Sequence, residues 1–313
     1  MSKLIPGSKG KGATGSNTGL KILIIFSLVS VAVVFVVLLL YVFVLMGDGF
    51  SDVSIGDKVA VIPVKGVIDS NMESRLEPLF ESVRDDKSIK AVVLDIDSGG
   101  GGVIASKSLM REVENCDKPV VAYIGNIGAS GAYYVASAAD EIYADEDSLT
   151  GSIGVIMVLE HYYGLFEKVG INVSVIKSGD RKDIGSPYRD LESDERQRLQ
   201  QIIDQVHEHF VINVANNRGM KFEDVKRLAQ GDLYLGVEAK KNGLIDETGT
   251  LDDAISKAAD LAGIEGDPVV KYMKPEVTFA DLFAESFTHI GYGMAKWMHE
   301  HSSSGMVDEK IVA

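Results

Sequence analysis

The sequence is poor in cysteine and in positive charge, and each shortage excludes a class of protein. Cys116 is the single cysteine in 313 residues, so the chain cannot form an internal disulfide and its fold depends on an apolar core. Because Cys116 ends a helical stretch, we expect it to be a buried small apolar side chain rather than a nucleophile. The 31 basic residues are outnumbered by 46 acidic ones, which gives a formal net charge of −15. A surface of that sign repels nucleic acid, so no nucleic-acid partner is expected.

Histidine is also scarce, and no two histidines have the His-x-x-x-His spacing of a helical zinc site. The sequence therefore predicts no metal site, and no cofactor is expected. His207 and His209 lie in a helical segment that is explained by its apolar stripe, and three of the other four histidines lie in the C-terminal tail. We expect His161 to lie near the core, where it is the candidate for the histidine of a Ser-His-Asp triad. A structural histidine is the commoner outcome at such a place.

One long run carries no charge at all. Residues 22–46 are 25 consecutive uncharged and mostly apolar positions. At ~1.5 Å per residue a helix of this length extends about 37 Å, enough to cross a hydrocarbon core of ~30 Å. Residues 1–21 carry four lysines and no acidic residue, which predicts a basic cytoplasmic tail. A cleaved signal peptide is the alternative, but its apolar core is shorter. The run therefore predicts an uncleaved transmembrane signal anchor, with the remaining chain outside the cytoplasm.

After a polar linker at 47–57, strand-like segments alternate with helix-like ones. Strand, loop and helix recur at roughly 30-residue intervals, which predicts an α/β fold with largely parallel strands. The predicted strands cover 59–67, 91–96 and 119–124, with a further short strand just before Lys182. The predicted helices cover 69–86, 104–115, 131–139 and 192–217. Pro63 and Lys65 place the first strand near a sheet edge.

The C-terminal region, residues 266–313, has a different pattern. Apolar residues recur at helical spacing between 277 and 298, which predicts an amphipathic helix. Such a helix packs on a neighbouring subunit or rests on a membrane interface. Residues 299–313 show no such pattern and are expected to be disordered.

One serine stands where a predicted strand turns into a predicted helix. Ser130 lies in Gly128-Ala129-Ser130-Gly131, between an apolar β-branched run and an alanine-rich segment. A helix N-terminus presents unpaired N–H groups to a developing oxyanion, so this position suits a nucleophile. It also suits an ordinary helix-capping serine. Upstream, four successive glycines at 99–102 let the backbone approach a ligand closely and point N–H groups at it.

Four motifs in this order resemble those of the bacterial and archaeal signal peptide peptidases of the SppA (protease IV) type. They are the glycine loop, GASGAYY, TGSIGV and KSG-xx-KDIGSP, and the resemblance covers about residues 59–249. Members of that family are serine proteases with a Ser/Lys dyad on a crotonase-like (ClpP-like) fold, a superhelix of ββα units. One departure is visible, since the family's loop reads Asn-Ser-Pro-Gly-Gly and this chain reads Asp97-Ser98-Gly99-Gly100-Gly101.

The resemblance implies a role for five residues. Ser130 would be the nucleophile, Lys182 the general base and Ser152 the serine that orients the lysine amine. The backbone N–H groups of Gly101 and Gly131 would form the oxyanion hole. A lysine with an ordinary pKa of ~10.4 must be made neutral to act as a base, and burial has that effect. Lys177 is the competing candidate for the base within the same segment.

The function implied by the resemblance is that of a membrane-anchored serine endopeptidase with a peptidase domain at 58–265. Its substrates would be apolar peptides, above all signal peptides left in the membrane after secretion. A homo-oligomer is expected, because the dyad can be built across a subunit boundary. Two alternatives remain open at this point. One is a crotonase-type acyl-CoA enzyme, and the other is a membrane scaffold that keeps the fold without the activity.

Overall fold

The computed structural model of the protein describes residues 28, 30–36 and 56–275. The chain divides into two compact units, Met1–Ile55 and Gly56–Ala313. In the first unit, residues 28 and 30–36 are helical and exposed. Within the described parts of the chain, no helix has the length and apolar character needed to cross a membrane. The predicted basic tail, most of the predicted anchor and linker, and the predicted amphipathic helix at 277–298 lie outside the described residues.

The second unit is built from eight described strands and eight described helices. The strands are β1 Lys58–Lys65, β2 Ile89–Ser98, β3 Val120–Ala129, β4 Glu141–Ala144, β5 Leu149–Gly151, β6 Leu233–Leu235, β7 Glu247–Thr248 and β8 Val269–Tyr272. The helices are α1 Ser70–Asp85, α2 Val103–Glu114, α3 Gly131–Ala136, α4 Tyr163–Lys168, α5 Ser193–Asn217, α6 Phe222–Leu228, α7 Gly236–Lys241 and α8 Leu251–Leu261.

The strands form one sheet whose order is β6-β5-β3-β2-β1-β8, with β4 beside β3 and β7 beside β4. Every pairing is parallel except that of β5 with β6. Strand β3 has β2 on one edge and two successive partners on the other edge, first β4 and then β5. The predicted α/β fold with largely parallel strands is therefore confirmed.

The first strand lies next to the edge rather than at it. Strand β1 runs between β2 and the edge strand β8, which pairs only with residues 58–61. The Met273 N–H donates to the Val61 carbonyl at 2.8 Å. Alternate residues of a strand direct their N–H groups to the same neighbour, so Pro63 faces the side on which β8 has already ended. The missing N–H of Pro63 therefore costs no hydrogen bond in the sheet.

Helices cover both faces of the sheet, and the alternation of side chains along β1 separates the two cores. Ala60, Ile62 and Val64 belong to the larger core, which includes apolar residues of α1, α2, α3 and α5. Val59 and Val61 belong to the smaller core, which is closed by α8. Cys116 is half-buried against the larger core, and burial raises the pKa of its thiol.

Helix α3 follows Ser130 and is buried along its whole length. The Tyr133 hydroxyl donates to the Leu244 carbonyl at 2.8 Å, which ties α3 to a loop more than a hundred residues further along the chain. The ring of Tyr134 packs on that of Phe210 in α5, with centroids 4.4 Å apart. The helix that carries the turn at Ser130 is thus held from two directions.

One expected strand is absent from the described chain. Residues 171–177, just before Lys182, have no regular secondary structure, so the prediction of a strand there is wrong. A β-prone segment forms a strand only beside another strand, and none of the described strands pairs with these residues.

The absent strand falls within residues 155–192, here called the arm, whose single described helix is α4. The arm exposes many large apolar side chains, namely Ile156, Met157, Val158, Leu165, Val169, Ile171, Val173, Val175 and Ile176. Its two ends run beside each other, since the Tyr162 N–H donates to the Pro187 carbonyl at 2.7 Å. No described residue of the arm belongs to either core of the sheet.

Replacing Tyr133 with phenylalanine should lower the free energy of unfolding by about 1–3 kcal/mol, because the buried Leu244 carbonyl loses its donor. Chemical denaturation followed by fluorescence measures this change. Tyr272→Phe is the matched control, since that side chain is 59% exposed, and it should have almost no effect. Equal effects of the two substitutions would contradict the prediction.

Candidate active site

A cavity of about 480 Å³ opens beside Ser130. Four of the five residues predicted for the site line it, namely Ser130, Gly131, Ser152 and Gly101. The remaining wall is mostly apolar and includes side chains from α2, α3, α5 and the start of the arm. The structure thus brings together the predicted nucleophile, the predicted lysine-orienting serine and both predicted oxyanion groups.

The two serines emerge side by side because two neighbouring parallel strands end at the same level. Ala129 at the end of β3 pairs with Gly151 at the end of β5, and Ser130 and Ser152 are the residues that follow. The Ser130 N–H donates to the Gly151 carbonyl at 2.8 Å. Among the described residues, Ser130 and Ser152 are also the two non-glycine residues with positive φ, at 53° and 49°. Backbone strain of this kind, about 1–3 kcal/mol per residue, concentrates at functional sites.

The glycine loop packs its backbone directly on this turn. Gly101 forms an isolated bridge with Ile68, and a side chain on Gly101 would overlap the Ile68 carbonyl. Gly100 has φ +98°, and a Cβ atom there would stand 2.6 Å from the Gly131 nitrogen. No side chain fits in so short a gap. Glycine is therefore required at positions 100 and 101 by space, and at position 100 by conformation as well.

Two backbone N–H groups at this contact are left without an acceptor. Within residues 56–275, neither the Gly101 N–H nor the Gly131 N–H donates to another protein group. The Gly101 nitrogen lies 3.2 Å from the position that a Cβ atom of Gly131 would take, so the two residues are in close contact. Unpaired donors that converge at the wall of a cavity can bind a negatively charged oxygen.

The glycine loop keeps its shape without a proline. The Ser98 hydroxyl accepts from the Gly100 N–H at 3.1 Å, and the Asp97 carbonyl accepts from the Gly66 N–H at 3.0 Å. The Asn126 amide donates to the Asp97 carboxylate at 2.8 Å. Position 99 itself is open, with no atom within 4 Å of the place that a Cβ atom would take. Hydrogen bonds on either side of Gly99 therefore hold the loop in place.

The predicted base is not in this cavity. Lys182 is an exposed residue of the arm and lines a second cavity, of about 800 Å³, with Lys177, Asp180 and Glu195. Its side chain makes no hydrogen bond or ion pair with the described residues. Within a single chain, the structure does not bring Lys182 to Ser130 or Ser152.

The two competing bases lie in the arm as well. The Lys177 ammonium pairs with the Asp183 carboxylate at 2.6 Å. His161 is exposed, and its Nδ1 atom lies 3.2 Å from the Arg189 carbonyl oxygen. The expectation that His161 lies near the core is therefore wrong, because the arm that carries it does not pack on the core.

A partly buried guanidinium, that of Arg189, fixes the loop that carries Lys182. Arg189 donates twice to Asp183, at 2.8 and 3.0 Å, and twice to Glu195 at the start of α5, at 2.7 and 2.8 Å. The two carboxylates are only 7% and 4% exposed. Arg189, and then Lys177, hold the pKa of the Asp183 carboxyl well below its ordinary value, and Arg189 lowers the pKa of Glu195 to about 2.

Three polar residues of the cavity wall are not predicted by the sequence patterns. Lys107 and His209 line the cavity from α2 and α5, and Ser106 lines it from α2. The sequence around His209 is accounted for by the apolar stripe of α5, which gives no reason to assign this histidine a role. The residue itself is exposed and lines the cavity. Ser106 does leave a signal in the sequence, because it interrupts the buried apolar stripe of α2 formed with Leu109 and Val113.

A serine on a strained strand-to-helix turn, beside unpaired backbone N–H groups, is the arrangement of a serine hydrolase. Among the described residues, no group of three His, Cys, Asp or Glu side chains could hold a metal ion. The geometry of the cavity thus defines a class of enzyme that works through a hydroxyl nucleophile.

Comparison with known proteins narrows this class to one family. Residues 112–265 match Peptidase family S49, and residues 58–159 match the NfeD1b N-terminal domain. A Methanocaldococcus jannaschii protein that carries a protease name is 43% identical over 224 residues, 71% of each chain. An Enterococcus faecium protein that carries the name signal peptide peptidase SppA is 32% identical over 254 residues, 77% of this chain and 72% of that one. The chain therefore belongs to peptidase family S49, and it is an SppA-like serine protease.

A solved structure shares the fold. It is a serine-to-alanine mutant of the membrane-bound stomatin-specific protease 1510-N, with a TM-score of 0.51 at 15% identity. The match covers 71% of this chain and 100% of that one.

Gly100→Ala should lower both stability and peptidase activity, because the new methyl group meets the Gly131 nitrogen and the positive φ disfavours alanine. We expect a loss of about 2 kcal/mol or more in unfolding free energy and roughly 100-fold or more in activity. Denaturation and cleavage of a fluorogenic apolar peptide measure the two losses. Gly99→Ala is the matched control, since its side chain enters open space, and it should behave as wild type. If both variants lost activity equally, close packing would not be the reason.

Arg189→Ala should reduce the acid sensitivity of the fold. A carboxyl with a lowered pKa stabilises the folded state above its ordinary pKa, and this contribution is lost as the pH falls towards the folded value. For Glu195 the window runs from the ordinary value of 4.5 down to about 2. The melting temperature of the wild type should therefore fall more steeply across this window than that of Arg189→Ala. Arg227→Ala, which removes a pair on an exposed helix face, should keep the wild-type pH profile.

Proposed function

We propose that this protein is a membrane-anchored serine endopeptidase that cleaves apolar peptides, including signal peptides that remain after secretion, with Ser130 as nucleophile. One observation supports this most strongly. The Ser130 turn and two unpaired backbone N–H groups meet at the wall of a mostly apolar cavity.

In the proposed reaction, Ser130 Oγ attacks the carbonyl carbon of the scissile peptide bond and gives its proton to a base. The carbonyl oxygen becomes an oxyanion and accepts hydrogen bonds from the Gly101 and Gly131 N–H groups. The protonated base returns this proton to the nitrogen of the scissile bond, and the tetrahedral intermediate collapses to an acyl-enzyme as the amine leaves. Water, deprotonated by the same base, then releases the peptide acid and restores the Ser130 hydroxyl.

The base in this proposal is Lys182 of a second copy of the chain. Lys182 is exposed in an arm that also exposes many large apolar side chains, such as Ile176 at 102%. A surface of this kind is typical of an oligomer interface. Assembly would bury the lysine and favour its neutral amine, and the Ser152 hydroxyl would orient that amine. In this proposal the protein is a homo-oligomer of crotonase-like subunits, and each Ser/Lys dyad is shared between two of them.

The cavity suits an apolar substrate side chain. Val103, Ile104, Val155 and Phe210 line it, and no acidic side chain does. Such a pocket accepts aliphatic side chains, which are the main content of signal peptides. The uncharged run at 22–46 would anchor the enzyme in the membrane from which these substrates come. The peptidase domain would then lie on the extracytoplasmic side, with the N-terminus in the cytoplasm.

The test is complementation between two inactive variants. Ser130→Ala and Lys182→Ala should each lose peptidase activity by about 1,000-fold or more, with folding and assembly unchanged. Mixed after dissociation and reassembled, they should recover about a quarter of wild-type activity, since a quarter of the shared sites receive both intact residues. If the wild type neither cleaved peptides nor reacted with a fluorophosphonate probe, the peptidase proposal would be refuted.

The mixing experiment and two further variants identify the base and the chain that supplies it. If mixing restored nothing while both single variants were inactive, the dyad would lie within one chain. If Lys182→Ala stayed active and His209→Ala did not, the histidine of the cavity wall would be the base. Lys177→Ala, which removes the competing candidate base of the same arm, should keep activity; if Lys177→Ala were inactive and Lys182→Ala active, Lys177 would be the base.

A further inference from the structure

One buried hydroxyl in the cavity wall has no hydrogen-bond partner among the described residues. Ser106 is 1% exposed, and its Oγ atom makes no hydrogen bond. Among the described residues, only one other buried side-chain atom, His207 Nε2, is in this state. A serine in a helix commonly bonds the carbonyl four residues earlier. Here the Gly102 carbonyl accepts from the Ser106 N–H at 3.0 Å, and the hydroxyl is left unused.

The Ser106 hydroxyl lies against Gly131, whose N–H group is one of the two backbone donors of the proposed oxyanion hole. A Cβ atom built on Gly131 would overlap Ser106 Oγ, and the same position is 3.2 Å from the Gly101 nitrogen. Ser106 Oγ and the Gly101 nitrogen thus both lie close to Gly131. All three residues also line the cavity that contains Ser130.

Burial without a partner is unfavourable, so native proteins keep such groups where a ligand or a bound water supplies the bond. A hydroxyl can donate to an oxyanion and can also turn away from the neutral carbonyl of the substrate. Its hydrogen bond therefore strengthens as negative charge develops on the oxygen, which is the requirement for lowering the barrier rather than tightening substrate binding.

We propose that Ser106 is a third donor of the oxyanion hole, beside the Gly101 and Gly131 N–H groups. As Ser130 Oγ attacks, the π electrons of the scissile carbonyl move to its oxygen, and the Ser106 hydroxyl hydrogen-bonds that oxygen while keeping its own proton. This inference rests on the proposed peptidase function. It also gives a reason for glycine at position 131, since any side chain there would overlap the Ser106 hydroxyl.

The test is Ser106→Ala in the full-length protein. We expect kcat on an apolar peptide to fall roughly 10- to 100-fold, with KM changed by less than about twofold. Inhibition by a peptide aldehyde, which forms a tetrahedral adduct on Ser130, should weaken by the same factor. Resistance to unfolding should stay equal or increase, because the variant removes an unpartnered polar group. A purely structural serine would show the opposite pattern, with lower stability and unchanged kcat.

Ser137→Ala is the matched control. Ser137 is also fully buried next to a short helix, but its hydroxyl donates to the Tyr134 carbonyl at 2.8 Å. That variant should lose stability and keep kcat. Ser106→Cys, which keeps a weak donor of similar shape, should lie between wild type and Ser106→Ala, and it provides a second readout if alanine disturbs the helix.

Activity that Ser130→Ala abolishes establishes the peptidase independently of Ser106. Against that background, unchanged kcat and unchanged aldehyde inhibition in Ser106→Ala would overturn the inference, and the hydroxyl would then serve only a bound water. Parallel losses in kcat and aldehyde affinity, without a loss of stability, would establish the third donor.

Discussion

The site depends on one close approach between two pieces of backbone. The loop at Gly100 and Gly101 lies against the turn from β3 to α3 with no room for a side chain between them. That approach leaves two N–H groups unpaired at the cavity wall and holds Ser130 at an unusual backbone conformation. Every chemical property proposed for the cavity follows from this contact, because donors and nucleophile must be placed before a substrate arrives.

Features that are unfavourable for stability are concentrated around that contact. Two strained serines, two unpaired N–H groups and one unpartnered hydroxyl lie around a single cavity. They persist because the surrounding structure is over-determined. Helix α3 is wholly buried, Tyr133 ties it to the Leu244 loop, and β3 and β5 pair up to the residue before each serine. Strain at a functional site is supported in this way by a well-packed scaffold.

The two halves of the proposed dyad have contrasting surroundings. Ser130 belongs to the densely packed sheet and helices, whereas Lys182 belongs to an arm with exposed apolar side chains and an internal network of charges around Arg189. The network fixes the local shape of the lysine loop and does not connect it to the sheet. A division of this kind is expected when a site is completed only on assembly, since residues for the interface cannot also pack on their own core.

Local patterns in the sequence determined much of this protein. Alternating strand and helix segments predicted the α/β fold, because those signals depend on neighbouring residues alone. The glycine loop and the Ser130 turn were visible as local patterns, whereas the roles of Ser152, Gly101 and Gly131 were implied by the family resemblance. Tertiary structure decided the rest. It placed Ser106 and His209 in the wall, left the segment before Lys182 without a neighbouring strand, and separated Lys182 from Ser130. Each of these depends on which distant segments meet. Residue spacing along the chain does not show which distant elements come into contact. Nor does it show which residues meet between two copies of the chain.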